Sequence, residues 1–186
     1  MILDGLLMFS GGTSAPGNSD GKTDSPTTGT QASSNVLDLG VGTTTNPSLP
    51  SFANGGGARD IGIGDKPAMK VLVEVTVAFV GGTSLQLTLQ GAPDDGSGGV
   101  GSYTTMWTSA AIVEASMVAG AYLANISMPR PVPGQVLPRF LRLQYITVGT
   151  HTAGTVASTL VIDRFDQVTG TAGNLSGYPA GLTVAN

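Results

Sequence analysis

The stretch Lys70–Gln90, KVLVEVTVAFVGGTSLQLTLQ, constrains the fold more than any other part of the chain. Val71, Val73, Val75, Val77 and Phe79 fall on one face of an extended run, and Leu85, Leu87 and Leu89 alternate with Ser84, Gln86, Thr88 and Gln90. Successive side chains of a strand point to opposite faces, so each run makes a strand with one apolar side. Gly81-Gly82, followed by Thr83 and Ser84, turns the chain at low steric cost. The pattern predicts an antiparallel hairpin whose apolar face needs a second layer to cover it.

Composition supports a β reading. Good helix formers are scarce: 11% of the residues are charged, while Gly alone accounts for 28 of 186. That length suits a domain with a substantial core. The net charge of −4, with the eight basic residues scattered, argues against direct nucleic-acid binding, which needs clustered Lys or Arg. Arg130, Arg139 and Arg142 come nearest to a cluster and read as solvated charge. There is no cysteine, which excludes disulfides and thiolate metal sites. No run approaches the roughly 18 apolar residues of a membrane-spanning helix. MILDGLLMFSGG lacks a basic n-region and carries Asp4 within its apolar run, so it is not read as a secretory signal, and the chain is expected to be cytosolic at synthesis.

Taken in order, Met1–Phe9 reads as an apolar arm packed on the domain or on a neighbouring subunit. Ser10–Ser34, built from Gly, Ser, Thr, Pro and Asn, is expected to be a long surface loop. NVLDL at 35–39 is a short strand, and residues 40–57 form a loop with Phe52 as its large anchor. Residues 58–67, ARDIGIGDKP, suggest a bulge or a close backbone approach. Residues 91–101 form a Gly-rich acidic loop, and 109–117, SAAIVEASM, is the best helix candidate. Residues 120–128, 140–148 and 155–164 read as strands, with a proline-punctuated turn at 129–133. The tail 165–186 reads as extended. Seven or eight strands with irregular turn spacing predict an all-β chain: a two-layer antiparallel β-sandwich, jelly-roll-like, over 35–164, with arms at 1–34 and 165–186.

Few residues offer chemistry. His151 in GTHTAGT reads as an exposed hairpin-loop histidine, and no Gly-x-Ser-x-Gly elbow accompanies it. Asp94 and Asp95 in PDDGSGG have oxygens for a calcium ion, but the loop lacks EF-hand order, and turn chemistry accounts for Pro-Asp-Asp-Gly without a metal. A carboxylate pair for glycoside hydrolysis would come from Asp60, Asp65, Glu74, Glu114, Asp163 or Asp166. Glu74, between Val73 and Val75, belongs on a solvent face. Trp107 reads either as a stacking platform or partner anchor, or as an ordinary core or rim aromatic. Neither a Walker A loop nor a dinucleotide fingerprint is present. The expectation is a chain that is not an enzyme and uses no cofactor or metal.

Several segments, in order, carry a resemblance: MILD at the start, SSNVLDLG at 33–40, ARDIGIGD at 58–65, the strand pair VEVTVAFVGG and TSLQLTLQ, and the closing GYPAGLTVAN. Together they resemble the Bbp16-like capsid cement proteins of tailed bacteriophages. The stretch from about Gly11 to Thr30 is longer than that pattern. The resemblance implies a jelly-roll decoration protein that clamps an HK97-type major capsid protein on the outer surface of the head and stabilises the mature capsid. Its implied locations are the virion and, during assembly, the host cytoplasm. A carbohydrate-binding jelly-roll module, with Trp107, Tyr103 and Tyr122 as aromatics, is the alternative. The apolar groups least explained by a single core are Ile2, Leu3, Leu6, Leu7, Phe52 and Tyr178, and with Trp107 they are the expected capsid or subunit contacts. A homo-oligomer is expected, a dimer or a trimer, with no nucleic-acid or membrane partner.

Overall fold

The computed structural model describes residues 7–11, 23–40, 69–129 and 138–162. Seven strands follow in order: β1 (Thr28–Ala32), β2 (Leu37–Asp38), β3 (Met69–Ala92), β4 (Thr104–Thr108), β5 (Ile112–Val113), β6 (Tyr122–Ser127) and β7 (Phe140–Ile162). All belong to one antiparallel sheet, and no α-helix occurs among the described residues. The all-β expectation is met.

The two long strands are the spine. β3 pairs with β7 from Met69↔Ile162 through to Ala92↔Phe140. β6 lies beside the first half of β3, and β4 and β5 beside its second half. β1 and β2 flank the first half of β7. Register shifts cluster between Val75 and Ser84, in the middle of the β3–β7 ladder. There the ribbon bends sharply. Tyr145 Oη lies 3.0 Å from Ser158 Oγ. Thirteen residues of straight strand would separate them by about 43 Å. β7 therefore doubles back, and the sheet's two halves face each other across the core.

The apolar parity of the sequence explains what fills that core. Val71, Val73 and Val75 from one half meet Leu85, Leu87 and Leu89 from the other, all at 0% exposure. Leu141, Leu143, Tyr145, Val156 and Leu160 of β7 join them. On the opposite side of the first half, Leu72 and Val161 are buried as well.

The expected hairpin is not formed. The runs 71–79 and 84–90 are two halves of one strand, each paired to β7 rather than to the other. The glycines bend the strand between layers, a corner of the kind that lets one strand serve both sides of a core. Likewise, 140–148 and 155–162 are one strand, not two. The predicted helix at 109–117 is replaced by β5 and a single 3₁₀ turn at Glu114–Ser116. The two β-branched residues Ile112 and Val113 pair with Leu85 and Ser84, and sheet pairing wins over weak helix propensity.

The described part of 10–34 is not a free loop either. Asp24 exchanges backbone hydrogen bonds with Val156, Thr27 O accepts from His151 N at 2.8 Å, and β1 continues the ladder along β7. This strap crosses the bend along one edge. Its small residues suit that role, because backbone groups rather than side chains make the attachment. At the end of the arm, Met8 and Phe9 are buried, as the apolar N-terminal run predicts.

Candidate functional site

Inside the bend, two glycines permit side chains that no other residue would. His151, 2% exposed, lies across Gly82, where an added Cβ would stand 2.1 Å from His151 Cε1. Phe79 lies across Gly154 (φ 133°), where an added Cβ would meet the ring at 2.4 Å. The two rings pack edge to face with centroids 5.0 Å apart. The predicted exposed loop histidine is thus a buried peg. Neither ring nitrogen has a hydrogen-bond partner among the described residues. Nothing local signals this, because GTHTAGT reads as a turn unless β7 is known to run through it.

A second buried cluster holds the strap. Asp24 accepts hydrogen bonds from Tyr145 Oη at 2.9 Å, from Ser34 Oγ and from Ser34 N. Tyr145 is buried between Asp24 and Ser158. Burial raises the Asp24 carboxyl above its ordinary value of 3.8, against the lowering effect of these bonds. Burial, with the Asp24 charge beside it, likewise pushes the Tyr145 phenol well up.

The acidic loop is held by its own backbone. Asp94 Oδ1 accepts from Gly96 N and Gly98 N, and Asp95 Oδ1 from Ser97 N and Gly99 N. These bonds, foremost those from Gly96 and Ser97, hold both carboxyls below the ordinary value. Arg139 ties the loop to β2: Nε and Nη2 donate to Asp38 at 2.9 Å each, and Nη1 donates to Asp94. No group of three or more metal-ligating side chains is assembled among the described residues.

The aromatic candidates are engaged. Trp107 packs against the core from β4, partly buried. The face of Tyr103 is taken by the Arg142 guanidinium, whose Cζ is 3.6 Å from the ring centroid. Among the predicted contact residues, Leu7 packs partly buried against the core. Ile2, Leu3, Leu6, Phe52 and Tyr178 lie outside the described residues.

What the fold leaves outward is the crest of the bend. Six large apolar side chains are exposed among the described residues, and five of them stand there: Val77, Val80, Val113, Val118 and Val148. Val113 and Val148 flank Ser84 on its two sides. Val118 sits beside Val77, as the Phe79 N–Met117 O and Gly120 N–Val75 O bonds require. Sequence parity counted Val77 as core, since the bend that turns it outward is not written in the alternation.

The Bbp16 family model matches residues 22–160. That match takes in β1–β6 and nearly all of β7. The chain belongs to the Bbp16 family. Bbp16 is phage-associated, and the match supports a phage structural protein. No curated protein matches the chain. Within the matched span of this Bbp16 chain lie the bend, the Asp24–Tyr145 cluster and the Arg139 ion pairs.

Proposed function

We propose that this Bbp16 protein is a capsid decoration protein. It binds the outer surface of an HK97-type phage head and cements the major capsid protein in its mature arrangement. The observation that carries this reading is the family match over 22–160, which spans nearly the whole bent sheet. The described surface is consistent with binding rather than chemistry. Asp38, Asp94 and Asp95 are tied to backbone amides or to Arg139, and the one histidine is a core peg. On this reading the chain performs no reaction, is made in the host cytoplasm and resides on the virion.

Cementing then follows from mass action. A protein that binds only the assembled, expanded shell stabilises it by RT ln(1 + [L]/Kd) per site. Repetition over symmetry-related sites turns modest contacts into a large total. The test uses expanded heads free of this chain. Purified protein is added, the heads are pelleted, and bound protein and thermal disruption are measured. Saturable binding with a raised disruption temperature is expected. Heads that pellet bare, or that bind without any gain in stability, would refute the proposal.

A further inference from the structure

The second half of β3 and the first half of β7 turn Leu87, Leu89, Leu141 and Leu143 into the core, and the residues between them face outward. One chain of hydrogen bonds crosses that outer face. Arg142 Nε donates to Gln90 Oε1 at 2.8 Å, and Gln90 Nε2 donates to Gln144 Oε1 at 3.2 Å. Its direction is forced. A guanidinium has no acceptor, so Gln90 turns its carbonyl oxygen to Arg142, and its amide then meets the carbonyl oxygen of Gln144. Both glutamine carbonyls are thereby engaged. What the face retains is donors: the two Nη groups of Arg142 and the amide of Gln144, on half-buried side chains.

Arg142 also differs from its neighbour in sequence. Arg139 is saturated by Asp38 and Asp94, whereas no described carboxylate lies within ion-pair distance of Arg142. Its guanidinium is nonetheless held still, stacked 3.6 Å over Tyr103 and anchored through Nε. The flanking register positions are small and exposed: Thr105 lies opposite Gln90, and Ala32 opposite Gln144.

We propose that this face is a carboxylate-binding site, at which the Nη edge of Arg142 takes an aspartate or glutamate side chain of the major capsid protein and Gln144 Nε2 adds a further hydrogen bond. A face that offers only donors needs a partner rich in acceptors, and the planar guanidinium fork matches a carboxylate in two-point contact. A nucleic-acid backbone calls for several cations, and here there is one. The site is a sheet surface rather than a cleft, so a free anion would stay hydrated, while a protein surface laid over it excludes water. Arg and Tyr are the side chains that anchor interfaces, and a guanidinium already fixed loses little freedom on binding.

This inference rests on the decoration reading and deepens it. The test measures binding of variants to expanded heads free of this chain. Arg142→Gln should weaken binding about ten- to a hundredfold. Arg142→Lys should recover only part of that, because an ammonium lacks the fork. Gln144→Glu leaves Arg142 in place but sets a carboxylate two residues away on the same face, where Gln90 Nε2 still finds its acceptor. It should keep its fold, as circular dichroism would check, and lose binding to the same extent. Amidating the head carboxyls with carbodiimide and glycinamide should abolish the difference between wild type and Arg142→Gln. Either Arg142→Gln or Gln144→Glu binding as tightly as wild type would overturn this inference and leave decoration standing. A difference that survives amidation would do the same, since the acceptor would then not be a carboxylate. Heads that take up no wild-type protein would refute the decoration reading, and this inference with it.

Discussion

Gly82→Ala tests the bend directly. The added methyl would stand 2.1 Å from His151 Cε1, 2.2 Å from Nδ1 and 2.5 Å from Nε2. Real Cβ contacts do not come that close, so the ring must move. It has little room, being buried against Phe79 at 5.0 Å. Overpacking of this kind costs about 1–3 kcal/mol. For a chain of this size that is a fall in Tm of about 2–12 °C. In a His151→Ala background the obstructing ring is gone. Gly82 has no positive φ to protect, so the same Gly→Ala change there should be neutral or stabilise by about 0.4–1 kcal/mol through the unfolded state. The double-mutant cycle, run by urea unfolding, should therefore give a coupling energy of about 1.5–4 kcal/mol. Equal costs in the two backgrounds would show that His151 does not occupy the space over Gly82, and the account of the bend would fall with it.

Three further outcomes are expected. Tyr145→Phe removes the hydroxyl that donates to Asp24 and meets Ser158, leaving a buried carboxyl short of a partner; unfolding should become easier by about 1.5–3 kcal/mol, and protease should cut the strap at 24–34 first. Arg139→Ala leaves Asp38 buried without its cation and should cost about 3 kcal/mol, with Arg139→Lys recovering little because one ammonium cannot reproduce the two-point bond; chemical denaturation measures both. For pH, the folded Asp24 carboxyl binds its proton more tightly than the unfolded one, so its contribution to stability falls as pH rises from 3.8 through the raised folded value, then levels off. Asp24→Asn should thus gain on the parent between pH 4 and 7, and a stability difference that stays flat over that range would contradict the assignment.

Much of the architecture was legible along the chain. The alternation of Val71–Val75 and of Leu85–Leu89 identified strands and inward faces correctly, because a period of two is a local property of extended backbone. The parity of Leu141, Leu143 and Tyr145 was readable in the same way. Pairing was not. Gly81-Gly82 signals a change of direction, but a hairpin turn and a corner have the same local requirement, a residue free of Cβ strain. The partner of each half lies about 50–90 residues away in β7, out of reach of any local rule. Short-range pattern likewise left His151 in a loop and 109–117 in a helix.

Sequence by itself determined that this chain is a β protein with a greasy inner face, poor in charge and without thiols, since parity and composition do not depend on what lies opposite. Tertiary structure alone decided that the sheet folds over at its glycines, that His151 and Phe79 become pegs beneath the crest, and that five valines are left outside it. The reason is physical: burial at the bend is set by which distant strand supplies the neighbouring atoms, and that information resides in the pairing of β3 with β7 rather than in either strand.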